Sequence, residues 1–368
     1  MSNYPLQLVK FPSKGADSFF DAIKQRVNEY FESNQLSRHA NAQMRMKTIA
    51  MLSMYFLPYF FIVTGVVSSS LWIFYVLWAI MGFGIAGIGT SVMHDSNHGS
   101  YSENNTVNFL LGSVLNVLGG YSRNWKIQHN ILHHTYTNLD GLDEDIDAGI
   151  LLRMSPHAPY RKFHRFQHLY AWFLYAVMNI FWVTYKDYKG LNKYNKNGLL
   201  RKEKVSYKTA LTELTAFKVF YIVYILVLPV LFSGVLWYHV VIGFLLMHVI
   251  GGLLLACTFQ LAHVMESSEY PVPSDTRKME NNWAVHQLLN TTNFAPKNKL
   301  LSWYIGGLNY QIEHHLFPHI CHVHYPKIAK IVEEEAAKFQ LPYNVQPTLI
   351  TALGEHKRML KKLGRSSS

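Results

Sequence analysis

The sequence is poor in charged residues and in cysteine. Charged side chains make up 15% of the 368 residues, whereas a soluble domain has about 25%. Cys257 and Cys321 are the two cysteines, which excludes a disulfide scaffold and a Cys-x-x-Cys metal site. The first 45 residues are polar and lack the apolar core of a signal peptide. We therefore expect no cleaved targeting peptide.

Positive charge is in excess, with a net charge of +11, but it is not concentrated in one element. Lys and Arg are spread over long segments, whereas a nucleic-acid-binding domain concentrates them on one face or along one helix. We predict that nucleic acid is not a partner.

Apolar residues are abundant, at 49% of the chain, and they fall into four long runs. The runs are 48–67, 71–93, 217–237 and 240–262, and their only charged residue is Lys218, at the entry of the third. Each is long enough for a transmembrane helix of about 20 residues. The short gaps, Ser68 to Ser70 and Tyr238 to His239, predict two transmembrane hairpins. The predicted fold is an all-α integral membrane protein, with four spans and a cytoplasmic helical cap.

Two further apolar segments do not fit a simple span. Residues 105–122 are interrupted by Asn and Gly, which favours an interfacial or re-entrant helix. Residues 166–185 are long enough to span but contain His168 and Asn179, so we interpret them as an interfacial helix. Before the first span, apolar residues recur at helical spacing between Ser18 and Ser33. This pattern predicts an amphipathic helix, with Asp17 or Ser18 as its cap, lying on the membrane or on the protein.

The positions of Lys and Arg set the predicted orientation. Apart from Lys218, all of them lie in residues 1–47, 94–216 and 263–368, and neither hairpin turn contains one. The positive-inside rule then places both termini and the long middle segment in the cytoplasm. A fifth span at 166–185 would place residues 263–368 on the opposite side of the membrane from the residues that precede that span.

Three short histidine clusters lie in those predicted cytoplasmic segments. They are His94-x-x-x-His98, His129-x-x-x-His133-His134 and Gln311-x-x-His314-His315. On a helix, residues three and four positions apart share a face, so each cluster can direct its imidazoles to one point. Because all three fall on the same predicted side of the membrane, we expect them to form a single site.

The number of imidazoles indicates more than one metal ion. The clusters offer seven, whereas structural zinc takes four ligands. Two metals of five or six ligands each would use them all. A nitrogen-rich set suits iron, copper, nickel or zinc, and the spacing does not decide among these, although redox-active iron is the sensible choice. Glu313 lies between the ligand positions of the third cluster, and a supporting role is expected for it.

The three clusters and their surroundings resemble the membrane fatty acid desaturases. The resemblance covers about residues 45 to 335 and includes HDSNHGSYS at 94–102, NWKIQHNILHHTYTN at 124–138 and NYQIEHHLFPHICHVHYPKI at 309–328. Gln311 in the third cluster is typical of front-end and related acyl-lipid desaturases. The resemblance divides the chain into a cytoplasmic N-terminal segment (1–47), a desaturase domain (48–335) and a cytoplasmic C-terminal tail (336–368).

The resemblance implies a ligand set and a reaction. Two ferrous ions, O2 and two electrons would introduce a cis double bond into an acyl chain carried by CoA or by a lipid. It adds His263, at the end of the fourth span, to the seven cluster imidazoles and Gln311. The asparagine that the stearoyl-CoA type carries four residues earlier is Phe259 here, with Gln260 as a weak substitute. The histidines at 319, 322 and 324 are expected to support the site without binding metal.

The same resemblance leaves the electron donor and the membrane open. No HPGG haem motif is present, so we expect a separate donor, either a ferredoxin or a cytochrome b5-like protein with its reductase. The expected location is the bacterial cytoplasmic membrane, or the endoplasmic reticulum if the source is eukaryotic, among membrane lipid. Alternative functions are a related di-iron hydroxylase or ketolase and, in other classes, a membrane metal-binding or transport protein or a zinc hydrolase.

Overall fold

The computed structural model describes residues 9–12 and 18–365; Asp17, one of the two predicted caps, lies outside them. The fold is almost entirely helical, and the chain forms two compact units. The first unit consists of the described residues of 1–41, 128–171 and 258–368, and the second of 42–127 and 172–257. Each unit is therefore assembled from segments that are distant in sequence.

Four helices are long and apolar enough to cross a membrane. They are Ala42–Val63, Leu71–Asn97, Tyr207–Phe232 and Trp237–His263. The four-span prediction is confirmed by length and composition, and the helix Gln167–Phe181, at 15 residues, is not among the candidates in the described chain. The last helix ends at His263, so the final residue of a candidate span is one of the predicted ligands.

The ends of several helices differ from the predicted runs, and a capping residue fixes one of them. The third helix begins ten residues before the predicted span, where Ser206 accepts a hydrogen bond from the Thr209 amide at 3.1 Å. The second hairpin turns at Ser233–Leu236 rather than at Tyr238 and His239. Gly234 has a φ of +75° there, a left-handed conformation that glycine adopts without strain. The first helix likewise starts at Ala42 and ends at Val63.

Small residues let the helices of the second unit pack closely. A β-carbon at Gly82 would lie 2.7 Å from the carbonyl oxygen of Met247, and one at Gly84 would lie 3.0 Å from the backbone nitrogen of Tyr55. The glycines of the second span therefore allow neighbouring helices to approach closely at these two positions.

The second unit also contains buried polar pairs. The Lys218 ammonium lies 2.6 Å from the Asp187 carboxylate and donates to the Gly119 carbonyl oxygen at 2.5 Å. His248 is fully buried, and its two ring nitrogens lie 2.6 Å from the Tyr221 hydroxyl and 2.9 Å from the Asn179 amide nitrogen. Both ring nitrogens of this buried histidine therefore have a hydrogen-bonding partner. Such pairing is the usual condition for a polar group in an apolar helix bundle.

The shorter elements of the second unit connect these helices. They are Asn105–Gly112, Val114–Val117, Ser122–Trp125, most of Gln167–Phe181, Asp187–Lys196 and the 3-10 helix Leu199–Glu203. The predicted segment 105–122 is thus two short helices and a turn, not one continuous helix. π-Helical turns widen the longer helices at Ile88–Val92, Trp182–Lys186 and Val223–Val227.

The first unit has its own apolar core. Its elements include the helices Phe19–Ser33, Trp283–Asn290, Lys299–Tyr304, Gln311–Leu316, Tyr325–Lys338 and Leu349–Leu363, the 3-10 helices Lys162–Phe166 and His322–His324, and a parallel pair of two-residue strands, Asn293–Phe294 and Val345–Gln346. The predicted amphipathic helix is confirmed at Phe19–Ser33, where Ser18 accepts from the Asp21 amide. Its apolar face packs on protein: Phe31 is buried in the core of the first unit, and Tyr30 packs against the same core.

Candidate metal centre

The second histidine cluster lies on a π-helical turn, not on a regular α-helix. The turn covers Lys126–His133 and leads into the short helix His134–Tyr136. π-Helical hydrogen bonds run from residue i to i+5, so the turn is wider than an α-helical one and is often found at functional sites. Residues four and five positions apart then share a side. This places His129, His133 and His134 together, a spacing of i, i+4 and i+5.

Three histidines from distant parts of the first unit form a triangle. His133, His263 and His315 have ring centroids 4.6, 4.9 and 4.8 Å apart, and their ligand nitrogens all lie within 4.8 Å of one another. All three rings are buried, with exposures of 0%, 2% and 0%. Metal–imidazole bonds are about 2 Å long, so a slight contraction would bring all three nitrogens onto one ion.

The other nitrogen of each ring is held by a hydrogen bond. His133 Nδ1 lies 3.0 Å from Asp143, His315 Nδ1 lies 2.8 Å from Gln287 Oε1, and His263 Nδ1 lies 3.3 Å from the Asn290 carbonyl oxygen. Each acceptor favours the proton on Nδ1, which leaves Nε2 with a free lone pair. Metal-binding histidines are oriented in this way by carboxylates and carbonyls.

The three Nε2 atoms make no hydrogen bond with any described residue, although all are buried. A buried polar atom without a partner is unfavourable by about 1–3 kcal/mol. Three such atoms converging on one point are what a divalent cation would satisfy. The donor set therefore fits a first-row transition metal.

Burial and neighbouring charges shift the pKa values of two rings of the triangle, and these shifts set their protonation. Burial lowers the pKa of His133, but the carboxylates of Asp143 and Asp145 outweigh burial and raise it to about 9, so without metal the ring is protonated and a metal ion must displace the proton from Nε2. Burial and the neighbouring histidines lower the pKa of His315 well below its ordinary value. His315 is therefore neutral, the form that binds metal.

A second group of histidines adjoins the triangle. His134 and His314 have ring centroids 4.5 Å apart, and His134 and His315 4.4 Å. These three offer ligand atoms within 4.8 Å of one another. The His129 ring lies 4.7 Å from that of His134, and the two Nε2 atoms are 3.2 Å apart. The first unit therefore brings together six of the predicted imidazoles, with His315 common to both groups.

The third cluster is carried by the short helix Gln311–Leu316, which is completely buried. Glu313 accepts hydrogen bonds from Asn293 and from the Tyr343 hydroxyl, both at 2.9 Å. Burial raises its pKa to about 7. The structure thus gives Glu313 the supporting contacts that the sequence led us to expect. Gln311 is 1% exposed, and its amide nitrogen has no hydrogen-bond partner within the described residues.

The first cluster belongs to the second unit. His94 and His98 have ring centroids 4.7 Å apart, and Trp125 lies 5.5 and 5.6 Å from them. Asn97, between the two histidines, donates to the Gly112 carbonyl oxygen at 3.2 Å. This contact ties the cluster to the helix Asn105–Gly112. That His94 and His98 complete the metal site stays a prediction.

Several residues that support the centre were not assigned from sequence. Asp143 lies in the acidic stretch that follows the second cluster, where the sequence alone is equally compatible with a solvated loop, a contact to an electron carrier or an ordering of the cluster; its contact to His133 favours the last. Gln287 belongs to no recognisable motif, although its side chain also accepts a hydrogen bond from the Thr137 hydroxyl at 2.8 Å. Asn290 acts through its backbone, which no sequence pattern reveals. Gln260, the weak substitute, donates to the Asp145 carbonyl oxygen at 2.9 Å.

The histidines after the third cluster have other surroundings within the first unit. His319 is exposed, and His324 Nε2 lies 3.4 Å from the His39 carbonyl oxygen.

Fold and site together describe an all-α protein with four candidate membrane spans and a buried group of histidines that offers metal ligands. The fatty acid desaturase family model matches residues 70–347, and the chain belongs to this family. It is 38% identical to an sn-1 linoleoyl-lipid 6-desaturase of Arthrospira platensis, over 94% of this chain and 92% of that protein. It is 33% identical to an sn-1 linoleoyl-lipid 6-desaturase of Synechocystis sp., over 98% of both. An acyl-lipid (8-3)-desaturase of Physcomitrium patens is 36% identical over 95% of this chain and 72% of its own length.

These matches confirm the resemblance. The protein is a fatty acid desaturase, an oxidoreductase of lipid metabolism, and it is membrane-bound. They support desaturation and not the hydroxylase or transport alternatives.

Proposed function

We propose that this protein is an O2-dependent acyl-lipid desaturase that introduces a cis double bond into an acyl chain esterified to a membrane lipid. The observation that carries this proposal is the similarity, over nearly the whole of both chains, to two enzymes named linoleoyl-lipid 6-desaturases. A lipid-linked linoleoyl chain, desaturated at carbon 6, is accordingly the first substrate to test, ahead of acyl-CoA.

We propose two iron ions as the cofactor. His133, His263 and His315 would hold one of them, and the remaining predicted ligands would hold the other: His94, His98, His129, His134, His314 and Gln311. Supporting this, the imidazoles outnumber the four ligands of a zinc site, and His134, His314 and His315 form a second group whose ligand atoms lie within 4.8 Å of one another. When bound, the irons supply redox chemistry in which one CH2–CH2 pair, O2, two electrons and two protons give CH=CH and two waters.

The residues of this chain position and shield that centre. Asp143, Gln287 and the Asn290 carbonyl fix the three imidazoles of the triangle, so the ligands are oriented before a metal arrives. The almost complete burial of the six imidazoles of the first unit keeps bulk water away from the reacting carbons. Preorganised ligands and exclusion of water are the contributions that a protein makes to cofactor chemistry.

A separate protein supplies the electrons in this proposal, either a ferredoxin or a cytochrome b5-like carrier with its reductase. The reaction consumes two electrons, and imidazole, carboxylate and amide groups cannot provide them. Both termini and the metal centre face the cytoplasm, and the cytoplasmic membrane of a bacterium is the proposed location. The distribution of Lys and Arg, which avoids both hairpin turns, supports this orientation.

Expression in a host without polyunsaturated lipids tests the function. The host is fed linoleic acid, and its lipids are analysed by mass spectrometry for double-bond position and, after lipase cleavage, for position on glycerol. A new double bond at carbon 6, two mass units lighter and first seen in the lipid fraction, is the expected result. A gain of sixteen mass units would overturn desaturation, and a purified protein with one zinc and no iron would overturn the cofactor.

A further inference from the structure

One face of the first unit combines exposed cations with exposed aromatic side chains. We call it the basic–aromatic surface, and it is formed around the 3-10 helix Lys162–Phe166 and the C-terminal helix Leu349–Leu363. Its cations are Arg161, Lys162, Arg165, Lys357, Lys361, Lys362 and Arg365, and its apolar members are Tyr160, Phe163, Phe166 and Leu169. The last four are 38%, 42%, 49% and 60% exposed. The Arg165 guanidinium lies 4.5 Å from the centre of the Phe166 ring.

Buried hydrogen bonds fix the C-terminal helix to residues on either side of the 3-10 helix, Arg153 before it and Gln167 after it. The Arg153 side chain, 1% exposed, donates to the Leu363 carbonyl oxygen at 2.8 Å. Gln167, fully buried, donates to the Leu360 carbonyl oxygen, also at 2.8 Å. A β-carbon at Gly364 would lie only 2.2 Å from the His164 carbonyl oxygen, so the backbones of these two segments are in contact there. The cations therefore project from a fixed backbone rather than from a loose tail.

The positive charge of the surface is not neutralised within the described protein. No Asp or Glu occurs in residues 148–186 or 356–368. Arg358 pairs with Glu266 at 2.8 Å, but none of the seven cations named above has an ion pair among the described residues. Burial, together with the charges of Lys361, Lys357 and Arg365, lowers the pKa of His168. These three cations therefore lie close enough to His168 to affect the same side chain.

We propose that the basic–aromatic surface binds the headgroups of anionic lipids at the membrane surface. Clusters of Lys and Arg next to membrane helices bind anionic lipids, and aromatic rings prefer the depth of the headgroups. The apolar members sit among the cations in the sequence Tyr160-Arg161-Lys162-Phe163-His164-Arg165-Phe166, so charge and apolar area face the same partner. Continuity of this segment with the apolar helix Gln167–Phe181 favours a lipid surface over an acidic protein.

This inference does not depend on the acyl substrate or on the metal. It assigns a role to the end of the chain: the C-terminal helix holds the first unit against anionic lipid. A cation near an anionic membrane surface changes lipid affinity by about fivefold. Several cations on one fixed surface should therefore give a clear preference for anionic over zwitterionic lipid.

The full-length protein in nanodiscs of equal phosphatidylglycerol and phosphatidylcholine provides the test. Lipids retained on the protein are counted by native mass spectrometry. The unmodified protein is expected to retain phosphatidylglycerol over phosphatidylcholine by about fivefold or more. The variant Lys357→Gln/Lys361→Gln/Arg365→Gln should lower this ratio by about fivefold or more. The matched control Lys297→Gln/Lys327→Gln/Lys330→Gln removes three exposed cations elsewhere on the same unit and should keep the preference.

Two outcomes would overturn the proposal. The first is an unchanged ratio in the 357/361/365 variant, or an equal loss in the control variant, since either means that these cations do not select the lipid. The second concerns an acidic protein as the partner. If the variant lowers the desaturation rate supported by a plant-type acidic ferredoxin in nanodiscs of phosphatidylcholine alone, the surface is a protein-docking site instead. An unchanged rate there, with a lost lipid preference, supports the lipid surface.

Discussion

The Nδ1 atom of His133 lies 3.0 and 3.1 Å from the two carboxylate oxygens of Asp143, ten residues further along the chain. Both side chains have no exposed area. The same carboxylate accepts a hydrogen bond from the backbone N–H of Asn138 at 2.9 Å, so the loop that follows the second cluster is folded around this carboxylate. A buried carboxylate on the far side of an imidazole both orients the ring and raises its basicity.

Asp143→Asn tests this contact. The substitution keeps the shape of the side chain but removes the charge, and we expect iron affinity to fall about 10- to 100-fold with the protein still inserted. Iron per molecule, measured after titration with a chelator, checks this. Asp147→Asn is the matched control, because Asp147 is exposed in the same loop. Equal iron retention in the two variants would contradict the role of Asp143.

Gln287, which accepts a hydrogen bond from the His315 ring of the triangle, offers a second test. Gln287→Leu removes the acceptor shared by His315 and the Thr137 hydroxyl, and it leaves buried donors unpaired at about 1–3 kcal/mol. We expect lower iron content and a large loss of activity. Gln287→Glu keeps an acceptor oxygen at the same position and should recover most of the iron. If both variants lost iron to the same extent, Gln287 would be a packing residue only.

The sequence located the histidines that converge in the first unit, but it did not reveal the residues that hold them. Spacing alone singled out His133 and His315, and the family resemblance added His263. Their partners escaped detection because Asn290 acts through a backbone carbonyl and Gln287 lies in an unremarkable helix, far along the chain from the residues it touches. Hydropathy located four spans but misplaced their ends, since a cap such as Ser206 overrides the apolar average. The π-helical turn under the second cluster has no sequence signal that we recognised.

His263→Ala is expected to abolish activity and lower iron content, because His263 contributes one of three converging nitrogens to the triangle. The control is another buried histidine, so that the effect of losing a metal ligand can be told apart from the effect of changing any buried histidine. His248→Gln serves, since His248 is fully buried in the second unit and bonded to Tyr221 and Asn179. It should lower thermal stability yet leave iron per folded molecule unchanged. Full iron in His263→Ala would remove this residue from the ligand set.

The buried pair of Lys218 and Asp187 predicts a stability effect without any effect on metal. Lys218→Met leaves the Asp187 carboxylate, whose pKa burial raises, without its cation. Removing one partner of a buried pair is destabilising by about 3–5 kcal/mol. The double variant Lys218→Met/Asp187→Leu should recover much of that loss, as followed by thermal unfolding in detergent. A double variant no more stable than the single one would show that the backbone contacts of Lys218 dominate.

Acid is expected to loosen the C-terminal helix through His356. This ring is buried and its Nδ1 lies 2.8 Å from the Val264 carbonyl oxygen; burial lowers its pKa from 6.5 to about 4. Because the folded pKa is depressed, the neutral ring stabilises the fold fully above pH 6.5. That stabilisation is lost as the pH falls towards 4, at about 1.4 kcal/mol per unit. Amide hydrogen exchange across residues 349–363 should therefore accelerate between pH 7 and 5, after correction for the intrinsic rate. In His356→Gln this extra acceleration should be absent, and its persistence there would assign the acid response to another group.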